Sequence, residues 1–193
     1  MKNYRVKIGG HLRHFYGIIC MLLLMMCQVS MLSAQHFQDA WCGRYEGRLE
    51  IFTKGKMVQS LDMALDIRPL VKDSLWTWQI EYRTDRGVDL RAYELVAVDG
   101  EAGLYQIDEK NGIVLDAGLS GGKMISHFSV KGSWIVASYA FRKADEGARG
   151  EVVFEIIGGS VAQKRTTGGA SEDIPEVESM PVGSYQRAFL VKI

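Results

Sequence analysis

A strict period of two runs through this chain from residue 45 onward, and it confines the fold to β-sheet. Tyr45, Gly47, Leu49, Ile51 and Thr53 alternate with Glu46, Arg48, Glu50 and Phe52, which turns a mostly apolar row toward a core and a polar row toward water. Leu61, Met63, Leu65 and Ile67 alternate likewise with Asp62, Ala64, Asp66 and Arg68, and Trp76, Trp78, Ile80 and Tyr82 with Thr77, Gln79, Glu81 and Arg83. Further strands are expected at 88–98, 104–108, 113–119, 124–131, 134–142, 151–157 and 185–192. Between them stand pairs such as Lys54-Gly55, Asp99-Gly100, Asn111-Gly112 and Gly121-Gly122, residue types that reach the positive φ angles of tight hairpin turns. Sequential short hairpins predict an all-β antiparallel meander, and a meander this long loses its exposed edges by closing into an up-and-down barrel of about 8 to 10 strands. A two-sheet sandwich is the alternative, but it needs longer crossovers than these turns. Residues 160–179 (SVAQKRTTGGASEDIPEVES) break the rhythm with polar residues, Gly and Pro, and predict a flexible loop before the last strand.

The first 34 residues have a different character. A basic stretch ending at Arg13 precedes the apolar run FYGIICMLLLMM and a more polar tail ending Ser33-Ala34. That is the layout of a secretory signal peptide, with cleavage expected near Ala34. An uncleaved anchor is the competing reading, since residues 15–34 are long enough to cross a bilayer. Neither Cys20 nor Cys27 follows the small residues that a lipoprotein signal places before its modified Cys.

The division reinterprets the composition. The chain has 23 basic and 23 acidic residues, but four of the bases and none of the acids lie in the leader. Residues 35–193, expected to form one domain, keep 19 bases against 23 acids, a mildly anionic surface ill suited to a nucleic-acid backbone. Two of the three Cys also belong to the leader, leaving Cys42, which has no partner for an intramolecular disulfide and is expected as a small apolar residue at a barrel end.

The segment Trp41-Cys42-Gly43-Arg44-Tyr45-Glu46-Gly47, opening the first strand of this meander, resembles the start of lipocalin-like proteins of the calycin superfamily. The order differs from the usual Gly-x-Trp, because Gly43 follows Trp41. The chain is most similar in type to the small lipocalin-like proteins exported by bacteria. The resemblance implies that an Arg near the end of the barrel packs over Trp41 and closes the base, and Arg187 is the matching residue. An exposed charge on the last strand is the other reading of Arg187.

Chemistry-bearing motifs are sparse. Gly118-Leu119-Ser120-Gly121-Gly122 matches the nucleophile-elbow pattern but lacks the strand-to-helix context that gives the motif its function, so it reads as a hairpin turn. After the leader only His36 and His127 remain, without zinc spacing. One strand His is chemically sufficient to ligate haem, but no supporting partner is identifiable, and no cofactor or metal is assigned. The strand around Asp89-Leu90-Arg91-Ala92-Tyr93-Glu94 has no cleanly apolar face. Turned inward, Arg91 and Tyr93 would orient the head group of a ligand in the lumen. By apolar count the pattern turns Arg91 outward instead.

Two functions follow. The first is an exported, periplasmic or secreted, non-catalytic barrel that binds a small, largely apolar ligand. Its lumen candidates are Trp76, Trp78, Tyr82, Arg91, Tyr93, Phe128 and Trp134. The second is a structural or protein-interaction module of the cell envelope whose lumen those side chains fill. Eight strands leave an interior that side chains just fill, whereas ten widen it, which favours the binding protein.

Overall fold

The computed structural model describes residues 40–143 and 149–193. The leader and His36 lie outside the described residues. Ala40 and Trp41 are helical and lead into the first strand. The strands are β1 (Gly43–Thr53), β2 (Lys56–Ile67), β3 (Pro69–Val71), β4 (Leu75–Thr84), β5 (Gly87–Asp99), β6 (Leu104–Asp108) and β7 (Val114–Ser120). They continue as β8 (Lys123–Val130), β9 (Ser133–Arg142), β10 (Glu151–Ser160), β11 (Arg165–Thr167), β12 (Val177–Ser179) and β13 (Ser184–Lys192).

Ten of these strands form one closed antiparallel barrel in the order β2-β1-β13-β10-β9-β8-β7-β6-β5-β4, with β4 pairing back onto β2. All ten strands expected from the alternation are there. The turns follow from local chemistry: Lys54 and Gly55, at φ 50° and 76°, and Gly121 and Gly122, at 56° and 75°, adopt the left-handed pairs that match the twist of a two-residue hairpin.

Closure rests on a short seam. β2 and β4 pair only from Asp62↔Arg83 to Asp66↔Gln79. Beyond it Arg68 holds Thr77 through its own N–H and C=O, each at 2.8 Å. The chain then restarts as β3 with Pro69 opposite Trp76, at a sheet edge where a missing N–H is tolerated. Outside the seam, Arg44 forks onto Glu81 at 2.9 and 3.0 Å and donates from Nε to Glu46 at 3.0 Å. Arg83 also reaches Glu81, at 2.9 Å. Ala64, which lies between Glu46 and Glu81 in the register, is fully buried on this outer face, its methyl leaving room for the charges to meet.

Residues 160–179 do not form a plain loop. A 3-10 turn over Val161–Gln163, capped by the Ser160 hydroxyl, leads into the ribbon β11–β12, and Lys164 pairs with Glu178 across it. The ordering comes from this local pairing, since the side chains from 161 to 182 are exposed.

The Arg44 hydrogen bonds hold the Glu81 carboxyl down at about 2, against an ordinary 4.5. A depressed native pKa gives stability that is complete above the unfolded value and is lost as pH falls through the folded one. Glu81→Gln is expected to cost about 1–2 kcal/mol at neutral pH and to flatten the decline in unfolding free energy between pH 5 and pH 2, measured by urea titration.

Candidate functional site

The two ends of the barrel are filled differently. At the base, where β1 begins and β13 ends, the interior is packed with rings. Trp41, 3% exposed, stacks at 5.7 Å on Phe141 and 6.2 Å on Trp78. Trp78 meets Tyr139 edge-on at 4.9 Å, and Tyr139 packs at 5.1 Å on Phe154. Tyr45 ties this cluster to the entering chain by donating its hydroxyl to the Trp41 carbonyl at 2.9 Å.

Above Trp78 and Tyr139 the lumen holds a cavity of about 190 Å³. The space exists because small residues face each other there: Ser126 of β8 pairs with Ala137 of β9, and Ala137 with Ile156 of β10, all three lining the cavity. Trp78, Ile107, Leu115 and Phe128 complete the apolar wall, and Tyr82, Arg91, Tyr93 and Glu109 form its polar side.

The polar groups are of two kinds. Burial pushes the Tyr82 phenol up to about 12 and those of Tyr93 and Tyr139 upward as well. All three therefore keep their protons at neutral pH and act as neutral hydroxyls. The Trp78 indole N–H is turned toward the Tyr139 oxygen, which offsets part of that push, but it stops short of hydrogen-bond geometry. Ser126 is 3% exposed, and its hydroxyl oxygen finds no hydrogen-bond partner among the described residues, an arrangement costing about 1–3 kcal/mol for an unsatisfied buried group. Arg91 gives both Nε and Nη2 to the same oxygen of Asp89, at 3.2 and 2.8 Å. Glu109 accepts from the Asn111 side chain at 3.2 Å.

Of the expected lumen residues, Trp78, Tyr82, Arg91, Tyr93 and Phe128 line this cavity. Arg91 and Tyr93 correct the apolar count, which turned them outward. Leu90 and Val98, which with Ala92 and Val96 outweighed them in the count, are exposed at 53 and 59%, while Leu95, on the Arg91 face, is fully buried. Trp76 is no cavity wall: it is buried against Tyr105 with ring centroids 6.2 Å apart. Trp134 has the opposite parity to Ala137 and Tyr139 and so sits on the outer side of β9. Its ring lies over Gly159, where a Cβ would be 2.8 Å from the indole nitrogen. Ser126 was missed, although a lone Ser between Met124 and Phe128 in an inward row is a readable signal.

The barrel-closing pair of Trp41 and Arg187 is also corrected. Arg187 is on the outer wall, where β13 lies between β1 and β10. It donates to Glu50 at 2.8 Å and stands 5.4 Å over the Phe52 ring. The last-strand cation at the base is Lys192, 5.9 Å over the Tyr45 ring. Gly43, at φ 146°, leaves its path open, since a Cβ there would fall on the Lys192 side chain. Elsewhere, Ser120 ends β7 at the Gly121-Gly122 hairpin, His127 is exposed on the outer face of β8, and Cys42 is half-buried.

No protein-family model matches the sequence, and no curated protein matches it. Among solved structures the chain is similar to an S-type phycobiliprotein lyase from Guillardia theta, with a TM-score of 0.57 and 10% identity, covering 85% of this chain and 94% of that one. At that identity the likeness is one of fold, and with the closed ten-strand barrel it establishes a lipocalin-like architecture. It also overturns the expectation that this chain is no enzyme. The matched barrel is a lyase, so the architecture carries catalysis, and the fold supplies no ground for a non-catalytic role.

Trp41→Ala is expected to lower the unfolding free energy by about 3–5 kcal/mol, the cost of emptying an aromatic core site. Arg187→Ala should leave the unfolding free energy close to that of the parent, as for an exposed ion pair. Paired urea titrations check both outcomes.

Proposed function

We propose that this protein binds a small, largely apolar ligand in the mouth half of its barrel, and that it does so after export directed by residues 1–34. The observation that carries the reading is the cavity above Trp78 and Tyr139, because it combines an apolar wall with a buried hydroxyl at Ser126 that lacks a partner. A well-packed interior has few voids larger than a water molecule, and an apolar cavity with a few convergent polar groups has the lining of a ligand site, here a small one. The lumen is filled at the base only, so a barrel plugged throughout by its own side chains is the weaker reading.

Size narrows the ligand. An apolar cavity of roughly 150 Å³ takes up benzene, so 190 Å³ suits one ring with a short arm. Similarity to a phycobiliprotein lyase is compatible with a barrel that handles a ligand. The exported, periplasmic or secreted setting rests on the basic, apolar and small-residue order of the leader.

Ala137→Phe is expected to fill the cavity. Proton NMR titration of the protein from residue 35 onward with toluene should shift ring resonances of Phe128 and Tyr139 in the parent and leave them in place in the variant. A parent spectrum that toluene does not move would overturn the binding reading.

A further inference from the structure

Resting on that reading, the geometry points to an amine as the occupant: a single-ring ligand whose ammonium group is held by Glu109 at the mouth and whose far polar atom meets Ser126 in the interior. The charges decide between amine and acid. Arg91 is the cation of the cavity wall, and its Nε and Nη2 are both given to Asp89. The remaining N–H groups of the guanidinium lie beside that aspartate, so an entering carboxylate would meet a like charge there. With Asp89 counted, the mouth holds two carboxylates, Asp89 and Glu109, against one guanidinium.

Glu109 is the charge left over. Among the described residues it is in no ion pair, and its hydrogen bond comes from the neutral Asn111 amide. The adjacent lysine does not serve it, since Lys110 is drawn away to Glu94 at 2.9 Å and Asp108 at 3.6 Å. Tyr82, Tyr93 and Tyr139 keep their protons, so they add ring faces without adding charge. Those faces, with Trp78 and Phe128, are the electron-rich surface that attracts a cation. In the interior, the Ser126 hydroxyl is both donor and acceptor and pairs with nothing among the described residues. A hydroxyl at the far end of the ligand satisfies it, and a volume of about 190 Å³ has room for one ring.

Calorimetric titration at low salt with four probes tests this. Tyramine carries both anchors, phenethylamine lacks the hydroxyl, 3-(4-hydroxyphenyl)propionate inverts the charge at similar size, and p-cresol is neutral. Tyramine is expected to bind about tenfold or more tighter than the propionate, in line with a partly desolvated cation on aromatic faces and a carboxylate. Glu109→Gln should remove that preference and leave p-cresol unchanged, and Ser126→Ala should bring tyramine down to phenethylamine. If p-cresol binds but the propionate equals or exceeds tyramine, or Glu109→Gln leaves tyramine unaffected, the amine assignment is overturned and the cavity reading stands. If none of the four binds, both are overturned.

Discussion

Everything else in this molecule depends on a seam five residue pairs long, from Asp62↔Arg83 to Asp66↔Gln79, that turns an open meander into a closed barrel. The backbone pairing is reinforced from outside by Arg44, which crosses from β1 to Glu81 on β4 over the short side chain of Ala64 on β2. Ion pairs on a surface are usually worth little, but a bidentate fork within a network is the geometry in which they count. Without the seam, β2 and β4 would be two long edges carrying unpaired N–H and C=O groups. With it, the strand number is ten, and the strand number sets the interior width.

That width creates a packing problem with two answers. At the base, large rings meet it: Trp41, Trp78, Tyr139 and Phe154 follow one another in contact across the lumen. Toward the mouth the same inward rows present Ser126 and Ala137 instead, and space remains. The base is the load on which stability rests, and the mouth is where stability is given up for a cavity and an unsatisfied hydroxyl. Such a local departure from good packing and polar satisfaction is what a functional site in an otherwise consistent fold looks like.

The alternation made most of the fold legible, because one buried face and one wet face repeat at period two on every barrel strand. Where that physics fails, so does the reading. On β5 the outward residues Leu90 and Val98 are apolar and exposed, so counting apolar side chains pointed Arg91 and Tyr93 the wrong way. On β9 the ring of Trp134 suggested an interior, but its parity assigns it to the outside. Arg187 and Lys192 are both last-strand cations, and the register of β13 on β1 decides which of them reaches the base. The ribbon β11–β12 is too short and polar to announce itself by period.

The fold likeness to a lyase and the contents of the cavity bear on different questions. Architecture is shared by proteins with unrelated chemistries, and function resides in the side chains set on it. Here those side chains are three phenols that hold their protons, a serine without a partner, an arginine already neutralised by Asp89 and a glutamate with no counter-ion among the described residues. Protonated phenols polarise or orient a bound molecule and do not take protons from it at neutral pH. Among the described residues Ser126 has no hydrogen-bonded base of the kind that activates a nucleophilic hydroxyl. The charged group that the cavity wall leaves without a counter-ion among the described residues is therefore the Glu109 carboxylate, and the Ser126 hydroxyl stands with it as a neutral donor and acceptor.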